Sequence, residues 1–70
     1  MLFEEELGHA LDQIRSAPHL GSSFKAKSGR EYRRVLMPVT RHHVYYSLIA
    51  PDCVRVHAVW SAVRGRGPAL

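Results

Sequence analysis

The residues best suited to chemistry in this chain are histidines and arginines in its second half. An imidazole titrates near neutral pH, so His43 and His57 could act as an acid or a base, although ordinary surface histidine is the simpler interpretation. The guanidinium groups of Arg34 and Arg55 match the shape of phosphate and of carboxylate groups. The pattern therefore indicates binding of an anion, and it leaves nucleic acid and protein open as the partner.

A metal site is not predicted. His42 and His43 are neighbours in an extended segment, so their side chains point to opposite faces and cannot share one site. Zinc would need two or more further ligands, and Cys53, the only cysteine, sits in a predicted turn. The Arg-Gly-Arg-Gly-Pro stretch at 64–68 opens no helix, so it is not a glycine-rich phosphate loop. We expect no metal ion and no other cofactor.

Charge is divided unevenly along the chain, whose formal net charge is +4. Residues 1–24 carry four acidic side chains and one basic one, whereas residues 25–70 carry nine basic side chains and two acidic ones. This asymmetry favours an acidic partner for the second half of the chain over a merely solvated basic surface.

The length of 70 residues predicts a single domain over 1–70, near the size at which burial barely offsets chain entropy. Its lone cysteine excludes an internal disulfide and is typical of a reducing cytoplasm. No apolar run is long enough to span a bilayer, and the acidic start lacks the features of an export signal. We predict a cytoplasmic protein with no membrane association, stabilised by a partner.

Hydrophobic periodicity predicts one helix and three strands. An apolar stripe of Phe3, Leu7, Ala10, Leu11 and Ile14 indicates an amphipathic helix over residues 2–16, which Pro18 ends. Residues 17–31 are rich in Gly, Ser and Lys and predict an exposed, partly mobile connection. Alternating segments at 32–38, 42–49 and 54–61 predict strands joined by short turns, hence an antiparallel meander.

Alternation also predicts which face of this sheet is buried. We expect the helix to pack on three inward rows of side chains: Val35, Met37 and Val39; Val44, Tyr46 and Leu48; Val54, Val56, Ala58 and Trp60. An odd-length loop over 49–53 would align the second row with the third. The opposite face would display Arg34, Leu36, His43, Tyr45, Ser47, Arg55 and His57. The predicted class is α+β, with one N-terminal amphipathic helix on a three-stranded antiparallel β-meander.

Three strand motifs and a helix ending carry a resemblance to a known family. The motifs are Arg34-Val-Leu-Met-Pro-Val, His43-Val-Tyr-Tyr46 and Val54-Arg-Val-His-Ala-Val-Trp60, and the helix ends Ile14-Arg-Ser-Ala-Pro18-His-Leu-Gly21. Together they resemble the RelE/ParE superfamily of type II toxins, more closely its ParE branch, over almost the whole chain. The resemblance implies an N-terminal strand and a first helix ahead of the point where Met1 falls. Either this is a shortened member, for which we expect an exposed sheet edge, or an upstream start was missed.

The resemblance implies a toxin that is neutralised by a cognate antitoxin and inhibits DNA gyrase through recognition, not bond cleavage. It leaves room for a homo-oligomer formed through the exposed sheet edge. Trp60, Arg64 and Arg66 are the residues expected to carry inhibition, with Arg34 and Tyr45 as further target contacts. Direct binding of nucleic acid stays open.

Two alternatives remain. Nucleases of the RelE type place basic side chains on the exposed sheet face and a Tyr or His near the C-terminus. Here Arg34, Arg55 and His57 would serve that role, but no Tyr or His follows His57, which favours the ParE branch. The other alternative is a non-toxic remnant that only binds an antitoxin.

Overall fold

The helix and strands are seen in a computed structural model that describes residues 2–63, 68 and 70. In this part of the chain one helix precedes four strands: α1 (Phe3–Ser16), β1 (Ser22–Lys25), β2 (Glu31–Met37), β3 (His42–Ala50) and β4 (Cys53–Ser61). The strands form one antiparallel sheet in the order β1-β2-β3-β4. The predicted α+β class, the helix and the antiparallel meander are confirmed, but the prediction of three strands is wrong.

The helix α1 lies on one face of the sheet and packs mainly on β2. Four of the five stripe residues behave as predicted, since Ala10 and Ile14 are buried in a core that Leu7 and Leu11 extend. Phe3, the fifth, is exposed and contacts the sheet through the His42 ring. The sheet contributes Met37, Val44 and Tyr46 to this core, and each of the three is fully buried. Across the described residues no helix has both the length and the hydropathy to cross a membrane.

The first turn of α1 contains an acidic side chain whose role the sequence analysis missed. Glu6 is only 5% exposed. Its carboxylate accepts hydrogen bonds from the N–H groups of Val39 and Thr40 at 2.7 and 2.8 Å, and from the Thr40 hydroxyl at 2.7 Å. Val39, expected to point into the core, instead lies in the exposed turn that Glu6 caps, because β2 ends at Met37. This contact fixes the start of the helix to the β2–β3 turn.

Most of the segment 17–31 is exposed, as predicted, but its first part is tied to the sheet by hydrogen bonds. The Tyr46 hydroxyl accepts a hydrogen bond from the Gly21 N–H at 3.1 Å and donates one to the Pro18 carbonyl at 2.7 Å. The Arg33 guanidinium donates to the carbonyl oxygens of His19 and Gly21 at 3.2 and 2.9 Å. Two side chains of the sheet therefore determine where the chain leaves the helix.

The strand β1 forms inside the segment that was predicted to be a loop. A tight turn returns the chain, with the Ala26 N–H donating to the Arg30 carbonyl and the Gly29 N–H donating to the Ala26 carbonyl, both at 2.9 Å. Gly29 has a φ of 89°, a conformation that glycine adopts without a Cβ penalty. The turn places Phe24 opposite Tyr32, and this aromatic pair spanning a Ser-Gly turn was the available signal for a hairpin.

The strand β4 contains a β-bulge that overturns part of the predicted inward row. Tyr45 pairs with Ala58 but Tyr46 pairs with Val56, so His57 is an extra residue. The bulge turns Ala58 and Trp60 to the face opposite α1 and brings Val59 to the helix side, beside Val44. Val56 points to the helix side but stays 42% exposed, because α1 lies over β2 and does not reach this edge of the sheet.

The β3–β4 connection is shorter than predicted. Ala50 pairs with Cys53, which leaves Pro51 and Asp52 as a two-residue turn in place of the five-residue loop. The expected pairing of Tyr46 with Val56 and of Leu48 with Val54 nevertheless occurs. A second register shift, between Leu48 and Ala50, brings these residues into register. The prediction had assigned that role to a longer loop.

Substitution of Gly21 by Ala tests the contact between the helix exit and Tyr46. A Cβ at position 21 would collide with the Tyr46 hydroxyl, whereas a Cβ at Gly8 meets open space. We expect Gly21→Ala to destabilise the protein by about 1–3 kcal/mol, as overpacking does. Gly8→Ala, the matched control in the helix, should stabilise it by up to about 1 kcal/mol. Urea denaturation followed by circular dichroism measures both, and equal midpoints would contradict the close packing.

Substitution of Glu6 by Gln tests the cap on the β2–β3 turn. Burial alone would raise the pKa of Glu6, but hydrogen bonds from the Thr40 hydroxyl and from the Thr40 and Val39 N–H groups outweigh burial and lower this pKa. The stabilisation is therefore present above the ordinary pKa of a glutamate and is lost as pH falls through the lowered value.

We expect Glu6→Gln to lower the melting temperature at pH 7. At pH 3 the melting temperature of the variant should approach that of wild type. Glu5→Gln, in the same helical turn but exposed, is the control and should leave the pH 7 value nearly unchanged. A constant gap between Glu6→Gln and wild type from pH 7 to pH 3 would show that the carboxylate charge does not stabilise the turn.

Candidate anion-binding face

The sheet face opposite α1, here called the open face, brings together most of the residues predicted to do chemistry. The cross-strand register and the bulge place on it Ser22, Phe24, Tyr32, Arg34, Leu36, His43, Tyr45, Ser47, Arg55, His57, Ala58 and Trp60. All seven residues expected to be displayed there lie on it, joined by two aromatics from the β1–β2 hairpin and by the two β4 residues that the bulge redirects. No helix covers this face in the described part of the chain.

An aromatic cluster occupies the middle of the open face. The Tyr45 ring is 2% exposed, with the Phe24 ring edge-on at 4.9 Å and the His43 ring at 5.9 Å between centroids. The Arg34 guanidinium lies over the Phe24 ring at 5.3 Å from its centroid, within the range of a cation–π contact. The expectation that Tyr45 is displayed to a target is therefore wrong, because the unpredicted strand β1 brings Phe24 over it.

A second group surrounds the bulge in β4. His57 Nε2 and the Ser47 hydroxyl oxygen are 2.7 Å apart and share a hydrogen bond. The Tyr32 ring lies edge-on against the imidazole at 4.9 Å between centroids. Arg55 is the cross-strand partner of Ser47 and is exposed on the same face. An imidazole and a hydroxyl are therefore in contact, and an exposed arginine occupies the neighbouring position on the same face.

The open face is cationic because its residues include no carboxylate among those the structure describes. Its charged and titratable nitrogen groups belong to Arg34, Arg55, His43 and His57. The acidic side chains lie elsewhere, on α1, on the helix side of β2 or in the β3–β4 turn. Burial, helped by the positive charge of Arg34, lowers the pKa of His43 below its usual value. His43 therefore tends to stay neutral at physiological pH.

The predicted tail residues are only partly placed. Trp60 lies opposite His43 on the neighbouring strand and is half-buried, at the end of the open face near the β2–β3 turn. Arg64 and Arg66 lie outside the described residues. In the described ranges no three His, Cys, Asp or Glu side chains are close enough to hold a metal ion.

A cleft of about 520 Å³ adjoins the sheet where β1 stops short. β1 pairs with β2 only as far as Arg34, so Leu36 and Met37 have a paired strand on the β3 side alone. Asp12 and Gln13 of α1 line the cleft together with Leu20, Arg34 and Leu36. Leu20 and Leu36 are largely exposed, so this edge presents apolar side chains beside free backbone.

Together the fold and the open face define a small α+β protein with a cationic, aromatic sheet surface. Comparisons with protein-family models, with curated proteins and with solved structures found no match to this chain.

Substitution of Arg34 by Gln tests the electrostatics of the open face. Loss of the guanidinium removes a positive charge near His43, and this change should raise the pKa of His43. NMR titration of the imidazole Cε1–H signals measures this pKa. Arg55→Gln removes the same charge from another strand and is the control. An unchanged His43 pKa in Arg34→Gln, or an equal rise in both variants, would contradict the assignment.

Proposed function

We propose that this chain is a cytoplasmic toxin of the type II toxin–antitoxin kind, related to the ParE branch, that inhibits DNA gyrase and is neutralised by a cognate antitoxin. The observation that carries the proposal is the open face, where Arg34 and Arg55 are displayed and no described carboxylate opposes them. Such a surface attracts and orients an anionic target.

The fold supports this proposal without identifying the family. An amphipathic helix over an antiparallel meander is the arrangement that the strand motifs and the Pro18–Gly21 helix exit imply for a ParE-like chain. The exit is itself a structural element, because Tyr46 binds both Pro18 and Gly21. Trp60, the proposed anchor for the target, lies on the same face as the two arginines.

The uncovered parts of the sheet support the proposal of a protein partner. β4 pairs with another strand on its β3 side only, and β2 is unpaired on one side beyond Arg34 within the described residues. Free edges and exposed apolar side chains such as Leu20 and Leu36 invite pairing with another chain. We propose that an antitoxin segment covers one of these edges, with a second copy of the chain as the alternative occupant.

Induced expression without an antitoxin tests the toxin proposal. We expect growth arrest and an induced DNA-damage response with wild type, and loss of both with the double variant Arg34→Gln and Arg55→Gln. Inhibition of supercoiling by purified gyrase should fall in parallel. Replacement of Arg64 and Arg66 by Ala examines the tail separately.

The control for this experiment removes two positive charges elsewhere. Lys27→Gln with Arg30→Gln alters the exposed β1–β2 turn and should leave the arrest intact. Thermal unfolding must show that every variant is folded. Harmless expression of folded wild-type protein would overturn the toxin proposal and favour a non-toxic, antitoxin-binding remnant.

A ribosome-dependent RNA endonuclease is the second candidate, because Arg55 and His57 lie on the same face as Arg34. Primer extension on cellular messages after induction separates the two functions. Cleavage within translated codons would support the nuclease, whereas intact messages together with a DNA-damage response would support gyrase inhibition.

A further inference from the structure

The contact between Ser47 and His57 is the most specific polar arrangement on the open face. Ser47 lies in β3 and His57 ten residues later in β4, so the sheet itself brings them to 2.7 Å. His57 lies on the same face as Arg55, as alternation along a strand requires, and the bulge that follows turns Ala58 and Trp60 to this face as well.

Two neighbours complete this arrangement. The Tyr32 ring packs edge-on against the imidazole and restricts its rotation. Arg55, directly across from Ser47, presents a guanidinium at the exposed edge of the same row. The three polar groups therefore lie on adjacent positions, and in the described part of this face no carboxylate competes for them.

The direction of this hydrogen bond depends on which ring nitrogen of His57 carries the hydrogen. When Nε2–H donates to the Ser47 oxygen, the hydroxyl hydrogen is available to bond an anion. Ser47 and Arg55 then both offer hydrogen-bond donors on the same face.

We propose that Ser47, Arg55 and His57 form a binding site for a phosphate group of a nucleotide, either free or within a single strand. A guanidinium, a hydroxyl and an imidazole N–H provide charged and neutral donors, and phosphate oxygens accept hydrogen bonds from each of them. This site deepens the proposed function, since it rests on use of the open face and identifies the chemistry of the group bound there.

NMR titration of purified, isotope-labelled protein tests the site. The probes are a 5′-nucleoside monophosphate, a dinucleotide with one phosphodiester and a five-nucleotide single strand, each at constant ionic strength. We expect saturable shifts centred on residues 47, 55 and 57. Ser47→Ala, Arg55→Gln and His57→Gln should each weaken binding by about fivefold or more, as loss of a charge-assisted hydrogen bond does.

The variant Lys27→Gln with Arg30→Gln is again the matched control and should retain full affinity. Tighter binding of the five-nucleotide strand than of the monophosphate identifies a strand as the ligand, and equal affinity identifies a free nucleotide. Shifts that do not saturate, or equal affinities in wild type and all three site variants, would overturn the proposal.

The experiments distinguish failure of the phosphate-site proposal from failure of the toxin proposal. Absence of phosphate binding together with growth arrest that depends on Arg34 and Arg55 would reject the phosphate site and leave the toxin proposal standing. Saturable phosphate binding by a protein whose expression is harmless would do the reverse.

Discussion

The buried hydroxyl of Tyr46 is the contact on which the rest of the fold depends. A phenol in a protein interior needs hydrogen-bond partners, and here the chain itself supplies them as it leaves α1. The Gly21 N–H donates to the hydroxyl, which in turn donates to the Pro18 carbonyl. One side chain of the central sheet thus fixes where the helix ends and where β1 can begin. The absence of a side chain at Gly21 is what allows the backbone to approach so closely.

The two adjacent tyrosines of β3 give the sheet two small cores. Tyr46 lies under α1 with Ile14 and Val44, whereas Tyr45 is buried on the opposite face by the side chain of Phe24. A chain of 70 residues, with one short helix in its described part, would otherwise leave one side of its sheet without apolar packing. The second core also gives the open face a rigid aromatic centre, around which its cationic groups are arranged.

Sequence patterning predicted the parts of this fold that follow a regular period. The helical stripe ending at Ile14 and the burial of Tyr46 both came from that reasoning and are confirmed. Patterning failed where a local irregularity decides the structure. The alternation through β4 continues unbroken past His57, so nothing in it reveals an inserted residue. Glu6 lies four residues before Ala10 on the apolar stripe, but only tertiary contacts identify its partners in the turn.

The irregularity at His57 has a consequence for the behaviour of the chain in a crowded solution. A long, straight edge strand rich in valine is a template onto which identical chains can stack, the first step towards fibrils. β4 is nine residues long and carries Val54, Val56 and Val59. Its extra residue twists the backbone and breaks the even spacing that such stacking requires. The feature that shapes the open face thereby also makes this edge a poorer template for the regular stacking of identical chains.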